Sequence, residues 1–327
     1  MTEKKNFVYD ITPEDAEKLR ALLEERSFLL SPLPHALYKG TKDKVNVVAY
    51  ESGKLVVQGS GAPEFVEFLL EPEILKERAF QQTGEGPQKE KNAPGIELAG
   101  FSAHAGIDES GKGDFFGPLV IACAFVPDAE KAKLFAEKGV RDSKLIKSDD
   151  AILKIASFIR NTLGDACSLV AIGPEAYNNL YDKVGNLNRL LAWGHAKALS
   201  VLLEKHPECT RALSDQFADE HLVRNAFRRM HPGEFQLAQK VRAESDVAVA
   251  AASILARAEF VRRIRLLEEK IGLPLPKGAG LPVDRAAKQI AVSGGEALLR
   301  TVAKMHFRTA YRALGLPEPE RKTFFGR

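Results

Sequence analysis

Hydrophobic and polar positions follow two rhythms along this chain. Three short runs, Ala36–Lys39, Val45–Tyr50 and Leu55–Gln58, read as strands, and Ser52-Gly53 supplies a hairpin turn between the last two. Ahead of them Thr12-Pro13-Glu14-Asp15 opens a helix predicted to run to about Arg26, with Thr12 as N-cap and Pro13 at the first helical position. A second helix follows Ser60-Gly61, where Phe65, Phe68, Leu69 and Ile74 fall near helical spacing. These elements predict a small α+β unit.

Beyond residue 100 the two rhythms interleave. Phe101–Ile107, Leu119–Val126, Ser168–Ile172 and Arg211–Asp215 read as strands, and helical spacing fills 148–162, 174–182, 187–206, 218–229, 246–270 and 284–304. Strands alternating with helices predict an α/β layered domain. Between the two parts, QQTGEGPQKEKNAPGIELAG (81–100) combines Gly, Pro, Gln and Lys with few apolar residues and reads as a linker. The predicted organisation is a unit over 1–80, a linker over 81–100 and a larger domain over 101–327. No internal repeat is visible.

Composition narrows the class. The chain has 327 residues, 45% hydrophobic and 28% charged, which suits a soluble globular protein of two domains. No apolar run reaches the roughly 18–20 residues of a membrane span, and MTEKKNFVYD lacks the apolar core of a secretion signal. Cys123, Cys167 and Cys209 are scattered, which predicts reduced thiols in a cytoplasmic protein rather than a disulfide frame or a zinc site. The net charge of +3 is uneven: residues 1–83 carry −3 and the remainder +6. That balance permits a nucleic-acid partner without demanding one.

The chemistry concentrates in acids. In GIDESGKGDFFGPL, Asp108 and Glu109 sit between apolar residues and a Gly-rich turn. Burying two acids in or at the end of a strand is costly unless a cation compensates them. Neighbours on a strand point to opposite faces, so one faces a site squarely and the other reaches it from the edge. The plainer alternative is a polar turn between two strands. Asp215 ends another apolar run, where acids of α/β sheets often build sites, although it also suits a helix N-cap. Glu244 or Asp246 precedes VAVAAAS, a small-residue helix face suited to close packing on a sheet, and helix capping is the alternative for either acid. Four such carboxylates predict two hard divalent ions able to cleave a phosphodiester. The chain has no Ser-His-Asp signature, no Walker lysine loop and no GxGxxG; Gly111-Lys112-Gly113 is too short for a P-loop.

Read together, the motifs resemble those of bacterial ribonuclease HIII, a branch of the type 2 ribonucleases H. The resemblance is carried by Asp108 to Leu119 (DESGKGDFFGPL), Arg141-Asp142-Ser143-Lys144, Tyr177-Asn178, Asn186-Leu187-Asn188 with Leu191 to His195, Ser214 to Phe217, Ala250 to Arg257, Lys277 to Gly280 and Met305-His306-Phe307. It covers most of residues 100–310. YESGKLVVQG (50–59) similarly resembles the TATA-binding-protein-like domain that precedes the catalytic domain in that family.

The resemblance implies a ribonuclease H-like mixed five-stranded sheet flanked by helices. It implies endonucleolytic cleavage of the RNA strand of RNA/DNA hybrids, leaving 5′-phosphate and 3′-hydroxyl ends. The implied cofactors are two divalent ions, Mg2+ or Mn2+, held by four acids. Three of these map onto Asp108, Glu109 and Asp215; the fourth falls on Glu244, with Asp246 open as the alternative. One ion, on Asp108 and Asp215, would activate water; the other, shared by Asp108 with Glu109 and the fourth acid nearby, would stabilise the leaving oxygen. Gly111-Lys112-Gly113 matches the family's substrate-reading loop, in which glycines let the backbone approach a strand bearing 2′-hydroxyls. A Gly-Arg-Gly loop marks the ribonuclease HII branch, which favours single ribonucleotides in duplex DNA. The expected partner is therefore an RNA/DNA hybrid, met by a monomer with no membrane attachment. A junction ribonuclease and a catalytically inactive hybrid binder are the rivals.

Other residues carry weaker expectations. Lys144 reads as a phosphate contact or a brace for a catalytic acid, with a solvated loop lysine as the alternative, and Ser143 as a turn or cap residue, with a phosphate contact as the alternative. Trp193 reads as core and His195 as a packed or hydrogen-bonded histidine. Asn178, Asn186 and Asn188 read as helix caps, with a backbone contact to nucleic acid as the alternative for one of them. Arg224, Arg228 and Arg229 share a helix face, either phosphate-tracking or merely solvated. Arg262, Arg263 and Arg265 read as ordinary surface charge. In the N-terminal unit Lys39, Lys42, Lys44 and Lys54 cluster around the strands, so the sheet face is expected to meet the hybrid.

Overall fold

The computed structural model describes residues 6–42, 44–59, 61–66, 70, 74, 81–82, 101–146, 148–217, 220–231, 233–240 and 243–318. Two compact units emerge, Met1–Lys91 with Gly278–Pro282, and Asn92–Lys277 with Val283–Arg327. The expected linker, apart from Gln81 and Gln82, lies outside the described residues.

In the first unit, strands β1 (Asn6–Asp10), β2 (Leu29–Ser31), β3 (Ala36–Lys42), β4 (Val45–Tyr50), β5 (Lys54–Gln58) and β6 (Gln81–Gln82) form one sheet in the order β2-β3-β4-β5-β1-β6. Helix α1 (Pro13–Glu25) starts as its residues dictate: Thr12 Oγ1 accepts from the Asp15 amide at 3.1 Å. Its Leu19 and Leu23 join Val47, Leu55 and Val57 in one core. The period-2 burial of β4 follows from covering only one sheet face. Of the predicted second helix, the short α2 (Ala62–Phe65) is present, while Phe68 and Leu69 lie outside the described residues. The lysines separate. Lys39 pairs with Val48 on the face away from the core, whereas Lys42 reaches the Arg26 carbonyl and Lys54 pairs with Asp10 at 2.6 Å.

The second unit carries a five-stranded sheet in the order β11-β10-β7-β8-β9, built from β7 (His104–Ser110), β8 (Leu119–Val126), β9 (Cys167–Ile172), β10 (Arg211–Asp215) and β11 (Gln236–Lys240). The first three strands in sequence pair antiparallel, and β10 lies parallel to both β7 and β11. The mixed sheet expected from the resemblance is therefore present. Helices α3 (Ala129–Glu137), α4 (Asp149–Leu163), α5 (Pro174–Val184), α6 (Leu187–Leu203), α7 (Glu220–Met230), α8 (Val247–Ile271), α9 (Leu281–Val302) and α10 (Arg308–Leu314) complete the described elements.

Strand alternation fixes the layers. A Cβ on Gly106 would meet the α8 backbone, whereas Ile121 of β8, opposite Glu109, meets Gly194 of α6. Helices α8 and α6 thus cover opposite sheet faces. The alanine run of α8 is what permits its close approach.

Several expectations need correction. The first strand of this sheet is not Phe101–Ile107 but starts at His104 and continues to Ser110, so both acids lie within it. Trp193 is not core; it is 37% exposed on α6. Asn178 does not cap its own helix: it is buried, donates to the carbonyls of Arg300, in the last turn of α9, and Ala303, and accepts from the Met305 amide. Ser143 is more than a turn residue, because its buried hydroxyl meets that of Ser253 at 2.8 Å. Arg262 and Arg263 are not plain surface charge. They bind the nearly buried Glu259 of α8 at 2.8 and 2.7 Å, with Arg160 of α4 at 3.8 Å. Arg265 instead pairs with Asp150 at 3.1 Å, and both of these side chains are exposed.

The Glu259 cluster gives a pH prediction. The hydrogen bond from Arg262, helped by that from Arg263, holds the Glu259 carboxyl down at about 2 against the opposing effect of burial. A depressed carboxyl contributes stability above its unfolded pKa, and that stability is lost as pH falls toward the folded value. Glu259→Gln is therefore expected to lower Tm by about 3 °C at pH 7 and by progressively less from pH 4.5 to 2.5. Thermal melts of both proteins across that range check it; an equal difference at both ends would refute the assignment.

Candidate active site

The site is assembled on the strand pair β7 and β10 and on the turn that leads into α8. Asp108 and Glu109 are neighbours on β7 and point to opposite faces, as their positions require. Asp108 turns toward α8, where the Ser253 hydroxyl bonds it. Glu109 turns toward α6, where its Oε2 lies 2.9 Å from His195 Nε2. His195 is fully buried, and its ring lies 4.6 Å from that of Phe217. Asp215 ends β10, and its Oδ1 accepts from the Ala243 amide at 3.1 Å. That bond ties the end of the strand to the 3-10 turn Ala243–Ser245, which carries Glu244.

The electrostatics show that these acids share one region. Burial pushes the Asp108 carboxyl well above the ordinary range, and the charges of Glu109 and Glu244 push it further. Asp215 is raised by burial and by Glu109; Glu244 is raised by burial and by Asp215. Burial also opposes the charge on Glu109, but His195, Lys112 and Lys144 outweigh it and hold that carboxyl below its usual value. Lys112 Nζ lies 3.8 Å from Glu109 Oε1, and Lys144 Nζ lies 3.7 Å from Glu244 Oε1. Asp108, Glu109, Asp215 and Glu244 are thus linked through mutual repulsion.

Asp246 belongs to a different arrangement. Its Oδ1 accepts from the Ala248 and Val249 amides as the N-cap of α8, and both its oxygens lie 2.9 Å from His104 Nε2. Burial works against its charge, yet the His104 bond and the helix amides hold its carboxyl below the usual value. With its oxygens so engaged, Asp246 has a structural explanation that Glu244 lacks.

The glycine loop between β7 and β8 is equally constrained. Gly111 has φ of +90°, and a Cβ there would come within 2.1 Å of the Pro118 carbonyl oxygen. Only glycine adopts that conformation at that approach. Arg224 and Arg228 line a separate cavity of about 520 Å³ with Phe227 and Phe235, and none of the four acids lines it.

Comparison with known proteins decides the family. The family model described as Ribonuclease HII matches residues 105–310, and one described as a domain of unknown function matches 6–82. The chain is 42% identical to ribonuclease HIII of Chlamydia pneumoniae, over 93% of this chain and 96% of that one. The ribonuclease HIII of Chlamydia muridarum is 41% identical over 94% of this chain and 97% of its own. This chain belongs to the ribonuclease HIII family.

Structural likeness agrees. The crystal structure of Bst-RNase HIII in complex with Mn2+ superposes with a TM-score of 0.60 at 31% identity, covering 95% of this chain and 98% of that one. The second unit therefore has the ribonuclease H-like fold, and the first is the small α+β unit that precedes it. Sequence reasoning missed the ties between the motifs. His195 and Ser253 stood within quoted motifs, but no one-dimensional signal assigns His195 to Glu109 or Ser253 to Asp108.

Proposed function

We propose that the protein is an endoribonuclease that hydrolyses the RNA strand of RNA/DNA hybrids with two divalent ions, Mg2+ or Mn2+, leaving 5′-phosphate and 3′-hydroxyl ends. It acts on this reading as a cytoplasmic monomer. The observation that supports it most is the gathering of Asp108, Glu109, Asp215 and Glu244 from β7, β10 and the turn before α8. Glu109 and Glu244 raise the Asp108 carboxyl, Glu109 raises Asp215 and Asp215 raises Glu244, a repulsion that bound cations relieve.

The residues fit hard divalent ions in chemistry: every donor is a carboxylate oxygen. Among the described residues no three His, Cys, Asp or Glu side chains already converge to hold one ion. Two-ion phosphodiester sites need no such closed cage, because water and substrate oxygens fill part of each shell. Asp108, Asp215, Glu109 and Glu244 are the residues that would hold the ions. When bound, the ions supply activation of water and charge stabilisation on the phosphate oxygens.

The chain's own groups do the rest. Ser253 and His195 orient Asp108 and Glu109 from opposite sides of the sheet. The Ala243 amide holds one Asp215 oxygen and so sets the direction of that carboxylate. Gly111-Lys112-Gly113 offers backbone groups to the sugar edge that distinguishes RNA. Lys112 and Lys144, each within 4 Å of a site carboxylate, are positioned to meet phosphates once cations neutralise those acids. Lys39, on the open face of the first sheet, is that unit's own candidate contact with nucleic acid.

The test is cleavage of a uniform RNA/DNA hybrid beside a duplex DNA containing one ribonucleotide, each with Mg2+ and with Mn2+. Multiple cuts in the RNA strand of the hybrid are expected. Cutting confined to the lone ribonucleotide would move the protein to the junction-cleaving class, and salt-sensitive binding without cleavage would make it a binder.

A further inference from the structure

Lys304 is fully buried, although lysine is among the residues least often found so. It follows the end of α9 at Val302. Its Nζ donates to the Asp114 carbonyl at 2.7 Å and lies 3.4 Å from the Phe116 carbonyl. The Tyr177 ring lies 5.8 Å from the same ammonium. Main-chain bonds flank it: Lys304 N to the Phe115 carbonyl at 2.9 Å, Gly117 N to the Val302 carbonyl at 2.8 Å, and a bridge between Phe116 and Ala303. Asn178 fixes this 300–305 segment in turn, through the Ala303 carbonyl and the Met305 amide.

The ammonium's hydrogen bonds and the flanking main-chain bonds land on residues 114–117, directly after Gly111-Lys112-Gly113. At its other end the loop leaves β7, whose last residue Ser110 pairs with Val120, and Gly111 passes so close to the Pro118 carbonyl that a Cβ would not fit. The loop is therefore held on both sides, by the sheet before it and by the Lys304 segment after it.

Packing alone does not call for a charge at this position. A buried ammonium is strongly desolvated, which pulls its pKa down to about 7. An apolar side chain of similar length fills such a space at lower cost. What lysine adds is a donor able to hold two carbonyls.

We propose that Lys304 is a positioning residue for substrate reading: through the Asp114 and Phe116 carbonyls it fixes the Gly111-Lys112-Gly113 loop in the shape that receives the RNA strand. This rests on the reading of that loop as the substrate contact. Lys304 touches neither the substrate nor the four site acids, so its effect falls on hybrid binding and not on the metal ligands.

Lys304→Met keeps length and removes the donor; Lys304→Gln keeps a shorter, uncharged donor. Steady-state hybrid cleavage, Mn2+ titration calorimetry and thermal melts are measured on both variants and the wild type. For Lys304→Met, KM for the hybrid is expected to rise about tenfold with kcat within about twofold, and Mn2+ affinity unchanged. Lys304→Gln is expected to fall between it and the wild type. A KM within about twofold of wild type in a folded Met variant overturns the proposal. So does an equal loss of Mn2+ affinity, which would place the effect on the metal ligands, or failure of both variants to fold, which would make Lys304 a residue of the core alone. Failure of the underlying functional reading is seen separately, as absence of hybrid cleavage by the wild-type protein.

Discussion

Asp215→Asn is expected to lose hybrid cleavage in both Mg2+ and Mn2+ while keeping the wild-type melting temperature. The fold survives because the contact that Asp215 makes with the structure is one an amide retains: Oδ1 accepts from the Ala243 amide, and an Asn carbonyl oxygen accepts equally well. What the change removes is the negative charge. A ligand to a catalytic divalent ion contributes several kcal/mol of transition-state stabilisation, so the rate falls by about 10³-fold or more. Losing that charge also lowers the repulsion on Glu244, whose carboxyl is raised by burial and then by Asp215. Single-turnover cleavage with calorimetric Mn2+ titration separates the effects: turnover and metal affinity both fall, and the melt does not. A variant that retains cleavage within about tenfold of wild type would falsify the assignment of Asp215.

Gly106→Ala is expected to be the most damaging single methyl group in the second unit. An added Cβ would lie 2.0 Å from the Ala248 carbonyl carbon and 2.1 Å from the Val249 nitrogen. Both are backbone atoms of the first turn of α8, so no side chain can rotate away. Helix and strand must separate, which costs about 3 kcal/mol or more. Separation would also disturb the site, because α8 carries Ser253 to Asp108 and the turn before it carries Glu244. Chemical denaturation is expected to show the stability loss, accompanied by reduced cleavage. Stability within about 0.5 kcal/mol of wild type would mean that α8 does not press on β7 as described.

Much of the site's cast was legible in one dimension, for physical reasons that act locally. Thr12 and Pro13 announced α1 because an N-cap oxygen and a fixed φ are properties of single residues. Asp108 and Glu109 stood out because adjacent acids among apolar residues need compensation. Elements with weak local signals escaped notice. β11 is a short strand whose residues alternate between exposed and covered, and α3 is a short helix whose large apolar side chains are only Leu134 and Phe135. Trp193 misled because aromatic residues on an apolar helix usually face inward, while α6 has more apolar residues than its buried face can use.

The choice between Glu244 and Asp246 shows where local information stops. Both precede the same helix, and both carry the charge that a helix start favours. They separate in space because His104, from the start of β7, takes the oxygens of Asp246, whereas the end of β10 brings Asp215 against Glu244. His195 and Glu109 are 86 positions apart, Ser143 and Ser253 are 110 apart, and Lys304 and Asp114 are 190 apart.

The sequence by itself determined the residue types of the site, the glycines that only a tight loop explains, the helix caps and the alternation of strands and helices. Each of these follows from one residue's conformational range or from a short periodic pattern. The tertiary structure alone decided which acids share a charge environment, which acid is engaged by His104 and the α8 amides, and which buried donors lie against the site acids. Coulombic repulsion, desolvation and hydrogen bonding act through space, and only the folded chain brings their partners within range.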